Sequence, residues 1–367
     1  MIDALWKIED LQELVRDGIE DFTPWGDVRT VVNGNLILFN YTERAQYAGR
    51  WNAFERWSRG LILNRITGEV VARPFDKFFN WGEHVDPDTG VVSTDARLAS
   101  ATEKLDGSLG IMYKQDGQWK IATRGSFTSD QAIWATEFLN SHYAVEDWND
   151  RYTLLFEIIY PANRIVVDYH GAEGLFLIGV RDRIDGRDLS SYETLQNISD
   201  GCGFPLPKMY NFDSYEDVLE AAKKLSTNEE GWVVLSVDGE RFKIKGDAYK
   251  LAHKLMTQVT FKGVLEAYVS GDLNGMIAGV PDEFLGTVKD YVKEIEDTVM
   301  EIDDLVQLSF GQAPKENRKE FAIWTQANCS KIIHPYMYLA FSGENYVPAI
   351  YKYAFRNRLD REEVKSE

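Results

Sequence analysis

The sequence predicts an α+β protein: antiparallel sheets with helices set against them over residues 1–246, followed by a mostly helical domain over 247–367. Two observations carry this. Short β-rich runs recur around glycine-containing turns (Asn33-Gly34-Asn35, Thr67-Gly68, Asp116-Gly117, Asp238-Gly239), as hairpins do. From Asp247 the hairpins stop and apolar residues recur at helical spacing. Regular strand–helix–strand alternation is missing, as are a Gly-x-Gly-x-x-Gly fingerprint and a Walker-type loop, so a doubly wound fold is not expected.

In chain order, Leu5, Ile8, Leu11, Leu14 and Val15 mark a short amphipathic helix. Two hairpins follow, Val31-Val32 with Leu36 to Phe39 and Gly60 to Leu63 with Val70 to Arg73, and Phe75 to Asn80 closes that unit. Glu83 to Thr94 reads as a loop. A third hairpin pairs Ile111 to Tyr113 with Trp119 to Thr123, and a helix covers Gln131 to His142. Strands are expected at Thr153 to Ile159, Ile165 to Tyr169 and Leu175 to Val180, then a helical segment from Tyr215 to Leu225. The last hairpin joins Gly231 to Val237 with Arg241 to Lys245. In the second domain, helical spacing runs through Ala248 to Ala267, Pro281 to Leu308, Glu316 to Ala327 and Ile332 to Phe341, and Val347 to Phe355 adds a last helix.

At 367 residues the chain has core material for two domains, and its composition is that of a globular protein. No apolar run approaches a membrane span, and the first residues lack the features of a signal peptide. Cys202 and Cys329 stand far apart without spaced partners, and the five histidines show no metal-ligand spacing. A reducing, cytoplasmic setting is expected. The formal net charge of −19 argues against a broad polyanion binder, yet a focused basic cleft can sit in an acidic body.

The chemistry centres on Glu103-Lys104-Leu105-Asp106-Gly107-Ser108. An Asp-Gly turn there holds the Lys104 amine at the mouth of a cleft, although Asp-Gly is first of all a turn signal. A lysine becomes a nucleophile when desolvation or neighbouring positive charge favours its neutral form. Lys243 and Lys245 share one face of a strand, either as a phosphate grip beside that lysine or as a solvated face. Glu157 sits in the apolar run Leu154 to Ile159, where a carboxylate needs a partner unless it faces outward. Glu230 opens the next strand as a site acid or an ordinary loop acid, and Arg59, Lys77 and Arg124 add cations at strand ends.

In order, these resemble the covalent nucleotidyltransferases, the ligases and mRNA capping enzymes: Lys104-Leu105-Asp106-Gly107, Phe156-Glu157, Glu230-Gly231, Lys243-Ile244-Lys245. Arg59-Gly60, Arg73 to Asn80, Pro161-Ala162-Asn163-Arg164-Ile165-Val166 and Phe242 to Lys245 narrow the likeness to the bacteriophage-type RNA ligase 1 family, from about Tyr41 to Tyr249. The first domain is then a nucleotidyltransferase (adenylyltransferase) domain, and the tail resembles the family's helical domain loosely. Arg124 stands where the family often has lysine, which keeps the charge and changes the geometry of a phosphate contact.

The resemblance implies an ATP-dependent RNA ligase that joins 5′-phosphate and 3′-hydroxyl RNA ends through lysyl-AMP and RNA-adenylate, in RNA or tRNA repair, with nicked tRNA as a candidate substrate. It implies Lys104 as nucleophile, Lys243 and Lys245 on the α-phosphate, and Arg59, Lys77 and Arg124 among the nucleotide contacts. Tyr41 and Tyr249 would line the nucleotide pocket, and Asp106 would orient the lysine or meet the terminal hydroxyl. Glu157 and Glu230 would hold hydrated Mg²⁺, with Asp272 as a further metal residue in the tail. A DNA ligase or RNA guanylyltransferase is the alternative within the superfamily, although both normally carry an oligonucleotide-binding barrel after the lysine-pair strand. A non-catalytic RNA-binding or phage assembly protein is the alternative of another class. The oligomeric state stays open.

Overall fold

The computed structural model describes residues 7–83, 97–256, 259–278, 280 and 284–366. The chain divides into two compact units, Met1–Met256 and Thr257–Glu367.

The first unit holds three sheets. Strands β1 (Val28–Asn33), β2 (Leu36–Tyr41), β3 (Arg59–Asn64) and β4 (Val70–Ala72) form an antiparallel sheet in that order. One face packs on α1 (Ile8–Arg16) and α3 (Ala53–Trp57) through Leu11, Phe39, Phe54 and Leu61. The short helix α2 (Glu43–Ala48) follows β2, its Thr42 side chain capping the Ala45 N–H. The strand β5 (Phe79–Asn80) and β6 (Leu98–Glu103) belong to another sheet.

The second sheet contains β7 (Ser108–Gln115), β8 (Gln118–Ala122), β9 (Tyr152–Ile159) and β10 (Gly174–Asp182), in the order β10-β9-β7-β8. Because side chains alternate across a strand, it packs against two layers. Ile111, Tyr113 and Leu155 meet Leu38 and Ile62 of the first sheet and Phe75 of the loop after it. On the other face Met112, Phe156 and Leu177 meet α4 (Asp130–His142) and α5 (Tyr192–Cys202).

The third sheet runs β11-β6-β12-β13-β5, with β11 (Met209–Tyr210), β12 (Gly231–Ser236) and β13 (Arg241–Lys245). It is antiparallel except at β13–β5, where Phe242 pairs with Phe79 in parallel. Helix α6 (Tyr215–Ala222) covers Val234, Phe242 and Ile244. Helix α7 (Asp247–Met256) follows β13 within this unit, so the unit extends ten residues beyond the expected end at residue 246.

The second unit is helical: α8 (Phe261–Ser270), α9 (Leu273–Ala278), α10 (Leu285–Gln312), α11 (Arg318–Asn328), α12 (His334–Phe341) and α13 (Val347–Ser366). Ile302, Phe321, Met337 and Ile350 form a shared core of α10 to α13.

The hairpins and both α4 and α6 lie where the sequence puts them, and several elements differ. Ile165 to Tyr169 is a loop, because the Val166 and Val167 N–H groups donate to the Asp106 carboxylate instead of to a neighbouring strand. The segment 98–103 before Lys104 is a strand that the sequence pattern does not mark. Helices α2, α3 and α5 were not expected from the pattern. The run from Ala248 to Ala267 contains two helices, the second capped by Thr260 on the Gly263 N–H. Leu5, Pro281 and most of the loop from Glu83 to Thr94 lie outside the described residues.

Candidate active site

The Lys104 turn joins two sheets, since Lys104 follows β6 of the third and Ser108 opens β7 of the second. Its geometry depends on two glycines. A side chain at Gly107 would bring a Cβ to 2.5 Å from the Ile158 carbonyl oxygen. Gly231 has φ 138°, and its Cβ would stand 2.0 Å from the Ile244 carbonyl oxygen. The first approach sets β9 against the turn and the second sets β13 against the start of β12, where the Lys104 N–H donates to the Gly231 carbonyl (2.8 Å).

The Lys104 amine donates to Glu230 Oε2 at 2.8 Å, while Lys245 Nζ lies 3.2 Å from Glu230 Oε1. Glu230 is 3% exposed, so one buried carboxylate bridges the turn lysine and the distal lysine of β13. A single such anion between two cations is held by strong interactions in a poorly solvated place. Glu157, on β9, accepts the Gly107 N–H through Oε1 (3.0 Å). Burial pushes its carboxyl up to about 7, and the nearby Glu230 adds to the shift, while Lys104 and the Gly107 N–H act against it.

That shift has a defined sign. The folded carboxyl titrates near 7 and an ordinary one near 4.5, so the folded state binds the proton more tightly. The stability associated with the neutral form is fully present at low pH and lost as pH rises through about 7. Glu157→Gln, which keeps the acceptor for Gly107, should therefore raise the melting temperature of chelator-treated protein at pH 8 and change it little at pH 4. An equal effect at both pH values would refute the shift.

Lys104, Glu157 and Lys245 open onto a cleft of about 510 Å³. Arg29, Arg59, Lys104, Arg124, Arg241, Lys243 and Lys245 line it, against the carboxylates of Glu103 and Glu157. A chain of net charge −19 thus carries a locally basic cleft. Arg59 and Lys243 lie over the Phe78 ring at 5.3 and 5.5 Å. Arg124 is held by Tyr41, whose hydroxyl accepts from Nη1 at 2.8 Å and whose ring lies 5.0 Å beneath the guanidinium.

Other residues occupy different places from those implied by the resemblance. Lys77 is 4% exposed and outside the cleft lining, with its amine 5.5, 5.1 and 5.5 Å from the rings of Tyr41, Trp51 and Phe79. Tyr41 and Tyr249 are buried supports rather than lining residues. The Tyr249 hydroxyl donates to Asp106 Oδ1 (2.8 Å), and Asp106 Oδ2 accepts the Val166 and Val167 N–H groups (2.8 and 2.8 Å). The Asp106 N–H donates to the Tyr169 hydroxyl at 2.7 Å. With both oxygens engaged and 3% exposure, Asp106 ties the turn to the loop at 165–169 and to α7. Asp272 belongs to the second unit, exposed and next to the start of α9.

Among the described residues no three His, Cys, Asp or Glu side chains gather as a metal cage. Hydrated Mg²⁺ keeps its waters and binds through few carboxylates, so Glu157 and Glu230 would be the pair to hold it. Glu157 lines the cleft, where its carboxylate would meet such an ion, whereas both Glu230 oxygens are engaged by Lys104 and Lys245.

A family model described as RNA ligase matches residues 57–251, more than half of the chain. The chain belongs to the phage-type RNA ligase 1 family. It is 30% identical over 284 residues to a protein of Autographa californica nuclear polyhedrosis virus whose name joins polynucleotide kinase to RNA ligase, covering 69% of this chain and 40% of that one. It is 30% identical over 251 residues to RNA ligase 1 of bacteriophage TS2126, covering 61% and 59%. The matches thus span only part of these relatives' lengths. An archaeal ATP-dependent RNA ligase superposes loosely, with a TM-score of 0.45 at 15% identity over 87% of this chain and 88% of its own.

The family match covers the Lys104 turn, β9, β12 and β13, and so most of the cleft lining, while Arg29 lies outside it. Arg29 and Arg241 were missed in the sequence. Arg241 had a legible signal, since it precedes Lys243 by one strand period. Arg29 had none. No described helix is long and apolar enough to cross a membrane.

Proposed function

We propose that this protein is an ATP-dependent RNA ligase that joins 5′-phosphate and 3′-hydroxyl RNA ends in RNA repair. The observation that carries this reading is the Lys104–Glu230–Lys245 bridge, whose two lysines line the basic cleft. First, the Lys104 amine, having given up a proton, attacks the α-phosphorus of ATP. A P–N bond forms, the bond to the β-phosphate bridge breaks, and pyrophosphate leaves. Second, an RNA 5′-phosphate oxygen displaces the lysine, which regains its proton, and RNA-adenylate forms. Third, a 3′-hydroxyl loses its proton and attacks the 5′-phosphate, and AMP leaves.

Each step needs negative charge on phosphate oxygens to be stabilised. Lys243 and Lys245 would meet the α-phosphate, and Arg59 and Arg124, which line the same cleft, the outer ones. Mg²⁺ held by Glu157 and Glu230 would supply further charge neutralisation. Intact mass after incubation with ATP and magnesium tests the reading. A gain of one adenylate is expected, with little gain from GTP. Wild-type protein that takes up neither nucleotide would leave the binding-protein alternative.

For the second unit we propose substrate selection, with nicked tRNA as the candidate. On α10, Asp290, Glu294, Asp297 and Glu301 line a groove with Lys293, a surface unsuited to a general grip on phosphates. Selection there would rest on shape and base contacts. A fragment ending at Met256 retains α7 and the Tyr249–Asp106 bond. Once circular dichroism shows it folded, it should still take up AMP but lose its preference for nicked tRNA loops over plain single strands. A folded fragment that keeps the full preference would place selection in the first unit.

A further inference from the structure

We infer that Arg241 is a contact for an RNA phosphate, distinct from the positions that serve the ATP triphosphate. This rests on the RNA ligase reading and adds a subsite to it. Arg241 opens β13 and lines the cleft on the same face as Lys243 and Lys245. With a rise of about 3.3 Å per residue, neighbours in this row stand about 7 Å apart and Arg241 about 13 Å from Lys245 along the backbone.

A triphosphate is too short to occupy that whole row. Its phosphorus atoms are linked through single bridging oxygens, so one gripped at Lys245 and Lys243 ends before Arg241. Consecutive phosphates of a nucleic acid are separated by a whole sugar, a repeat close to the two-residue pitch of a strand. A row of three cations at that pitch therefore suits an α-phosphate and a strand phosphate beyond it.

The Arg241 side chain is fixed by Asp188 and Phe75. Its Nε and Nη2 donate to Asp188 Oδ2 at 3.1 and 2.7 Å, and its guanidinium lies 4.2 Å from the Phe75 ring centre. Lys243 and Arg59 share a different ring, that of Phe78. Phe75 and Phe78 meet edge to face at 6.3 Å, so the two rings form adjacent stations along the cleft. Nη1 has no hydrogen-bond partner among the described residues, which leaves its two hydrogens for a phosphate oxygen. The Asp188 pairing lowers the net charge of this station but pre-orients the fork, which favours a placed phosphate over free anions.

The test separates the two phosphate sources. Arg241→Gln and Arg241→Lys are assayed for adenylylation by ATP, and separately for transfer of AMP from pre-adenylylated enzyme to a 5′-phosphorylated oligoribonucleotide across RNA concentrations. Arg241→Gln should lose about ten- to hundredfold in transfer at low RNA, mainly through weaker RNA saturation. Adenylylation should fall far less. The salt dependence of RNA binding should lose a slope of about one. Arg241→Lys, which keeps the charge without the fork, should show the same split at smaller size. It decides the matter if the glutamine variant does not fold. Equal loss in both steps would assign Arg241 to the triphosphate, and unaltered transfer would remove it from the RNA path; either result overturns the inference. Wild-type protein unable to take up AMP would instead overturn the ligase reading itself.

Discussion

Lys104→Ala protein, incubated with ATP and magnesium, should show no gain of one adenylate in intact mass, whereas the wild-type protein should. The expected loss is complete, because no neighbouring amine can substitute. Lys245 is bound to Glu230 from the opposite side, and Lys243 is two residues away along β13 over the Phe78 ring. Lys104, by contrast, is carried by the turn that Gly107 lets β9 approach and that is bonded to Gly231 of β12. Lys104→Arg should be equally inactive, since a guanidinium keeps the charge but is not a nucleophile near neutral pH. Pre-formed RNA-adenylate offers a control: sealing it to a 3′-hydroxyl bypasses Lys104 as nucleophile and should survive in part. Undiminished AMP uptake by folded Lys104→Ala protein would remove this lysine from the chemistry.

The second large effect is expected at Glu230. Removing its carboxylate leaves the Lys104 and Lys245 ammonium groups facing one another without their shared counter-charge. Breaking a buried ion pair from one side typically costs about 3–5 kcal/mol. Glu230→Ala should therefore lower both the melting temperature and AMP uptake, with activity down by at least about a hundredfold. Glu230→Gln keeps the shape and separates the two effects: it should fold better than the alanine variant and remain nearly as inactive. Added magnesium should not restore either variant. Glu157→Ala should share the loss of activity, which follows from the carboxylate's place beside Gly107 in the cleft. Wild-type turnover in folded Glu230→Gln protein would return Glu230 to a structural role.

The sequence by itself determined the hairpins, the helical character after Asp247 and the order of the lysine turn, the two glutamates and the lysine pair. Each is written locally, in turn glycines, in alternation along a strand or in short motifs. It also allowed a basic site inside an acidic chain, because net charge says little about where charges gather. Only the tertiary structure decided which of those residues share a cleft. Asp106, Tyr41, Tyr249 and Lys77 have the polarity of site residues, but they support the cleft instead of lining it. The reason is that a hydrogen bond such as Tyr249 to Asp106, spanning 143 positions, depends on where β13 and α7 place the hydroxyl. The same reason accounts for the strand wrongly read at Ile165 to Tyr169. Its apolar, β-branched residues suit a strand, yet its N–H groups were taken by a carboxylate some sixty residues earlier in the chain. Local pattern records what a segment can form, and long-range contacts choose among those options.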